Sequence, residues 1–142
     1  MDAFRITKFR GIVSKGWSEL GCSGDVPKDV YVIGNCPHDW LFLHCAAVCH
    51  HGGAGTTAAG LLAGRPSVVC PFFGDQPFWG QMIANCGVGP PPIVKKKFNS
   101  EALANAFRFC MLQSTQEKAK ALGEEMRKEN GIRTGVQVCA FC

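Results

Sequence analysis

His50 and His51 stand directly ahead of Gly52-Gly53-Ala54-Gly55-Thr56-Thr57, and a second polar group, Gly74-Asp75-Gln76-Pro77, follows further along the chain. The small residues let a ligand approach the backbone. The segment behind them, residues 56–63, reads as a helix, and a helix start offers unpaired N–H groups carrying partial positive charge. That combination describes a phosphate site. Between Trp40 and Val94 the only formally charged residues are Arg65 and Asp75. Asp75 is therefore expected in apolar surroundings, where a carboxylate needs protein donors or the hydroxyls of a ligand. The plainer reading of the glycines is a tight turn closing a strand onto a helix, and on pattern alone the two readings stand level.

Other chemistries fit less well. No Gly-Lys-Ser/Thr follows the glycines, which argues against a Walker-type phosphate loop. Gly53-x-Gly55-x-x-Ala58, with Asp75 about 20 residues on, does match a relaxed dinucleotide fingerprint. Yet a ribose-binding acid belongs at the end of the next strand, whereas Asp75 lies beyond Pro71-Phe72-Phe73-Gly74. His44, Cys45, Cys49, His50 and His51 are ligand types, and Cys139-Ala140-Phe141-Cys142 is a C-x-x-C. Cys45 and Cys49 fall in an apolar run that reads as strand core, and the C-x-x-C has no second pair, so structural cysteines are the better reading.

The elements that must position these groups alternate between strand and helix. Short apolar runs at 11–14, 30–33, 46–49 and 67–70 read as buried parallel strands. Helical stretches are expected at 39–44, 56–63 and 77–85, with Gly64-Arg65-Pro66 stopping the second. Asp75-Gln76-Pro77 doubles as a helix start with a polar cap. After the break at 87–92, Ser100 is expected to cap a helix with Leu103, Phe107, Cys110 and Met111 facing the core. Ser114-Thr115-Gln116-Glu117 reads as a capping box for a second helix with the stripe Ala119, Leu122 and Met126. The order predicts an α/β fold, a Rossmann-like parallel sheet with flanking helices and ligands at the carboxyl ends of the strands. His51 and Asp75 should then share one rim. Residues 1–9 look like the tail of a helix leading into the 11–14 strand. A doubly wound domain normally begins with a strand, so the first strand is expected to be missing.

A chain of 142 residues fits one domain, and 46% hydrophobic with 18% charged residues fits a globular one. The net charge of +4 falls short of a nucleic-acid signature. No apolar run approaches the roughly 20 residues of a membrane span, and the N-terminus lacks a secretory core. Nine cysteines without a signal segment predict free thiols in a reducing, cytoplasmic setting and a protein that is not secreted. Lys95-Lys96-Lys97 reads as a solvated loop face, with peripheral contact to an anionic membrane as the alternative. Phe72, Phe73, Phe78 and Trp79 read as core before acceptor channel. Trp17 fits a site wall and packing equally.

Asn35-Cys36-Pro37-His38, His50 to Thr56, and Gly74 to Pro77 together resemble the donor-binding signature of UDP-dependent glycosyltransferases with the GT-B fold. Pro37-His38-Asp39-Trp40-Leu41-Phe42 and Pro71 to Gln76 resemble most the plant-type sterol 3-beta-glucosyltransferases. The resemblance implies that residues 1–142 form the C-terminal, nucleotide-sugar-binding domain, and that a separate N-terminal domain supplies the acceptor pocket and catalytic base. It implies that His51, Gly53, Gly55 and Thr56 hold the UDP phosphates and Asp75 and Gln76 the sugar hydroxyls. Asn35, Cys36 and His38 would lie toward the uridine. UDP-glucose enters as substrate, with no other cofactor and a sterol or other lipid as acceptor. The chain departs from many small-molecule members at Asn35, where they carry tryptophan, and at Ala59, where they carry glutamate. It contains no Asp-x-Asp for a metal-bridged diphosphate. A non-catalytic nucleotide-binding module and an NAD-type domain are the alternatives.

Overall fold

Ser67–Val69 is the most deeply buried strand, and its alternation organises the interior. A computed structural model describes residues 1–15, 25–129 and 131. Successive strand side chains point to opposite faces, so Val68 and Val69 feed two different cores. Val68 packs with Ile93, Ala106 and Cys110. Val69 packs with Ile83, Val88 and Ala119, joined by Leu61 and Leu122.

In chain order the elements are α1 (Asp2–Thr7), β1 (Gly11–Ser14), β2 (Val30–Ile33), α2 (His38–Leu41), β3 (Val48–His50), α3 (Ala54–Leu62), β4 (Ser67–Val69), α4 (Gln76–Asn85), α5 (Ser100–Cys110) and α6 (Gln113–Lys128). β1 pairs with β2 and β3 with β4, both in parallel. The outer edge of β4 is occupied by the 87–93 segment: Ser67 N–H donates to Val88 O at 3.0 Å, and Ile93 N–H to Val69 O at 2.9 Å. α1 packs on α5 through Phe4 and Phe107, whose ring centroids lie 5.3 Å apart.

Several boundaries differ from expectation, each with a local cause. β3 begins at Val48, not Ala46, because the preceding carbonyls are taken by side chains. Gln116 Nε2 donates to Ala46 O at 2.9 Å, and Arg65 to Phe42 O and Leu43 O. α2 tightens into a 3-10 turn at Phe42–His44. α3 starts at Ala54, two residues earlier than expected, with Gly53 as its N-cap.

The cap of α5 is Asn99, not Ser100: Asn99 Oδ1 accepts from Ala102 N–H at 2.8 Å. The expected capping box does not form. α6 starts two residues earlier, at Gln113 with Leu112 as its N-cap, Thr115 is buried, and Gln116 is spent on Ala46 O and Cys110 O. Ala119 and Leu122 face the core as expected, whereas Met111 is exposed just past the end of α5. Trp17 and the Cys139–Cys142 pair lie outside the described residues.

The cap assignment is directly testable. Asn99→Ala should cost about 1 kcal/mol of unfolding free energy by urea titration, and Ser100→Ala less than half as much.

Candidate functional site

The carboxyl ends of β3 and β4 carry the two polar groups, and one backbone contact locks them together. Gly52 sits at φ +91°, a left-handed conformation that glycine tolerates best. A Cβ there would meet Val69 Cγ1 at 2.6 Å and Gln76 O at 3.0 Å. The turn after β3 is therefore pressed against the first residue of α4. His51 and Asp75 follow parallel neighbouring strands and share one rim, as the order of elements predicted.

At the start of α3 the orphan donors stay open. Thr57 N–H closes the first turn onto Gly53 O at 2.9 Å, no side chain caps the helix, and its first turn holds no acidic residue. The N–H groups of Ala54, Gly55 and Thr56 precede the first intrahelical bond. Gly55 faces open space, with nothing within 4 Å of where a Cβ would stand. The exposed His51 ring lies over Gly53, its Nε2 only 2.5 Å from the position of a Cβ on that residue. An imidazole thus overhangs an uncapped helix start. That arrangement suits an anion.

His50 behaves oppositely to its neighbour, because adjacent strand residues point to opposite sides. Its Nδ1 accepts from Gly52 N–H at 3.0 Å. Burial lowers its pKa to about 4, helped by the nearby rings of His51 and His38. It is therefore neutral at physiological pH, with Nδ1 as acceptor and the proton on Nε2. That Nε2 and Thr57 Oγ1 are the buried side-chain polar atoms left without a partner among the described residues. Both flank the same loop. A buried unpaired group calls for a physical explanation, and a ligand at this rim is a natural one. The sequence signal for His50 was the histidine pair itself, of which strand geometry can send only one to the surface.

Asp75 departs from expectation. It is exposed at the N-cap of α4, where Trp79 Nε1–H donates to Oδ2 at 2.7 Å. Acceptor capacity remains on both oxygens. Gln76 is buried, and its Oε1 accepts from Phe72 N–H at 2.7 Å and Phe73 N–H at 3.1 Å. Its carbonyl oxygen is thus committed to the loop, leaving the Nε2 donors for other work.

Phe72 and Phe73, on the 71–75 loop at the strand end, and Phe78, on α4, are exposed at 71%, 75% and 58%, contrary to the core reading, while Trp79 is half-buried. Cys49, expected in the core, is exposed on β3. The third polar segment follows β2. Asn35 is exposed, Cys36 half-buried, and His38 stacks on Phe42 at 4.8 Å, near enough to His50 to shift its pKa.

Comparison with solved structures gives the class. The chain superposes on a glycosyltransferase of kitacinnamycin with a TM-score of 0.74 at 22% identity, covering 91% of this chain and 34% of that one. It superposes on the spinosyn rhamnosyltransferase SpnG, complexed with thymidine diphosphate, with a TM-score of 0.75 at 17% identity, covering 98% and 39%. The fold is the C-terminal half of a GT-B glycosyltransferase. The chain belongs to the family described as erythromycin biosynthesis protein CIII-like, C-terminal domain, which matches residues 13–134. It is 48% identical over 138 residues to a sterol 3-beta-glucosyltransferase of Arabidopsis thaliana, a match covering 96% of this chain. The chain spans about a fifth of that relative, 22% of its length.

The His50 pKa carries a stability prediction. Its folded value lies below the ordinary 6.5, so the unfolded chain binds the proton first. The stabilisation is complete above pH 6.5 and declines as pH falls from 6.5 toward about 4, by on the order of 3 kcal/mol. His50→Asn, which keeps an acceptor for Gly52 N–H, should flatten that segment of a stability-against-pH curve measured by urea unfolding.

Proposed function

We propose that this chain is the nucleotide-sugar-binding half of an inverting glucosyltransferase that moves glucose from UDP-glucose to a sterol 3-hydroxyl. One observation carries the reading: an uncapped helix start and an exposed carboxylate are held on one rim by the Gly52 contact with Gln76. A diphosphate fits the first feature and vicinal sugar hydroxyls fit the second. The Arabidopsis relative is named as a sterol 3-beta-glucosyltransferase, which supports the acceptor class. The thymidine diphosphate complex of the spinosyn enzyme supports a nucleoside diphosphate on this fold.

In this reading the amides of Ala54, Gly55 and Thr56 and the His51 ring take the diphosphate, and Gly53 provides the room for that ring. Asp75 accepts from neighbouring sugar hydroxyls while Gln76 Nε2 donates. Asn35, Cys36 and His38 border the nucleoside. The acceptor hydroxyl attacks the anomeric carbon, the bond to the UDP oxygen breaks, and a base takes the hydroxyl proton. Charge grows on the departing diphosphate, where preorganised donors stabilise the transition state more than the ground state. The base and most of the acceptor pocket belong to an N-terminal domain. On this side the exposed rings of Phe72, Phe73 and Phe78 form an apolar wall beside the sugar, suited to a sterol skeleton.

UDP-glucose at a hundredfold excess over its Kd should stabilise the folded chain by about 2.7 kcal/mol, read as a raised melting temperature. NAD should leave that temperature unchanged. Asp75→Ala should remove the preference for UDP-glucose over UDP while UDP still binds, and His51→Ala should weaken both. A shift with NAD alone would favour the dinucleotide reading.

Labelled UDP-glucose and a sterol should give no product with this chain by itself, because the proximity term of roughly 7–11 kcal/mol needs an oriented acceptor. Turnover should appear when an N-terminal domain from the same family is added. Turnover without it would place the base within these 142 residues.

A further inference from the structure

Asp75 stands at the N-cap of α4 and does not cap it. A cap carboxylate ordinarily accepts from the second or third helical N–H. Pro77 holds the second position and has no N–H to offer, and Phe78, at the third, receives nothing from the Asp75 side chain. The backbone of Asp75, at φ −83° and ψ −4°, is helical where an ordinary cap is extended. Its carboxylate is turned instead to a residue one turn further along the helix. Trp79 is tied to Asp75 at two points. The Trp79 backbone N–H donates to Asp75 O at 3.2 Å, and the indole Nε1–H donates to Oδ2 at 2.7 Å.

The chemistry of that donor is selective. None of the ion pairs among the described residues includes Asp75. Arg65, the one formally cationic residue between Trp40 and Val94, is spent on Phe42 O and Leu43 O. An indole N–H is neutral and donates once, so it fixes the rotation of the carboxylate without neutralising it. A carboxylate that keeps its charge is the stronger acceptor for a hydroxyl. The indole is itself held: Trp79 is half-buried, and its ring meets that of Phe78 edge-on, with centroids 5.1 Å apart. Oδ1 and the remaining lone pair of Oδ2 stay available, enough for two neighbouring hydroxyls.

We infer, on the reading of Asp75 as the sugar-binding group, that Trp79 is a positioning residue for donor-sugar recognition, its indole N–H holding the Asp75 carboxylate in a single rotamer. Trp79 needs no contact with the sugar for this. An exposed carboxylate without the indole would sample several rotamers and lose that freedom on binding, and the hydrogen bond removes the loss from the binding step. The plainer role of an exposed i, i+4 pair is a small gain in helix stability. The two roles separate by ligand. Helix stability acts alike on UDP and UDP-glucose, whereas positioning of Asp75 acts on UDP-glucose alone.

The test is calorimetric binding of UDP and of UDP-glucose to the whole chain and three variants. Trp79→Phe keeps a ring and removes the N–H. Trp79→Gln removes the ring and restores an amide donor that reaches Asp75 across one helical turn. Trp79→Leu removes both. Trp79→Phe and Trp79→Leu should weaken UDP-glucose about fivefold, the scale of one hydrogen bond, and leave UDP unchanged. Trp79→Gln should recover most of the loss. A loss that follows ring size, with Trp79→Gln as weak as Trp79→Leu, would overturn the positioning role, and so would a loss shared equally by UDP. Should the variants fail to fold, the unmodified chain decides. Its Trp79 indole N–H resonance, identified by its move in Asp75→Ala, should shift with UDP-glucose and stay still with UDP. An indole unmoved by UDP-glucose would overturn the inference. Failure of the donor reading looks different, because Asp75→Ala would then leave the preference for UDP-glucose intact, and the role of Trp79 would fall with it.

Discussion

The contact of Gly52 with Val69 and the Gln76 carbonyl is the constraint on which the rest of the rim depends. It lets the turn after β3 lie flat against the start of α4, so two loops from neighbouring strands behave as one surface. His50 reinforces it by taking the Gly52 N–H, and Gln76 reinforces it from the other side by stapling Phe72 and Phe73 N–H groups. A residue with a Cβ at position 52 would face a positive φ, a collision with Val69 Cγ1 and a tight contact with Gln76 O. The rim is close-packed main chain pinned by the His50 and Gln76 side chains.

Neighbouring histidines illustrate how one strand end separates two roles. His50 is buried and neutral and serves the loop, while His51 is exposed and hangs over the helix start. Keeping His50 neutral avoids a second buried charge beside the proposed diphosphate. It also makes the loop sensitive to acid. The two cores behind this rim, one on each side of β4, supply the rigidity: Val68 and Val69 anchor opposite helix layers from consecutive positions.

The strands at 11–14 and 30–33 were legible to the residue, because apolar runs bounded by polar turns leave little freedom. The shared rim of His51 and Asp75 was legible from alternation alone. What escaped the sequence were choices between adjacent candidates that depend on distant partners. Asn99 and Ser100 are both good caps, and only the entry angle of the chain decides between them. Ser114 to Glu117 has the capping pattern, yet Gln116 is drawn to Ala46 O, seventy residues away. Asp75 looked apolar in its neighbourhood because its sequence neighbours are aromatic. Those rings turn outward to solvent, and the carboxylate finds the Trp79 indole one turn along the helix.

The central claim is that the uncapped start of α3 holds the diphosphate. The most direct measurement is a titration of the nitrogen-15-labelled chain with UDP, followed amide by amide. The account predicts that Ala54, Gly55 and Thr56 shift together, saturate at one equivalent and move downfield as their N–H groups gain an anionic acceptor. If those three amides stay unmoved at millimolar UDP, or the shifts cluster on another face, the account is contradicted.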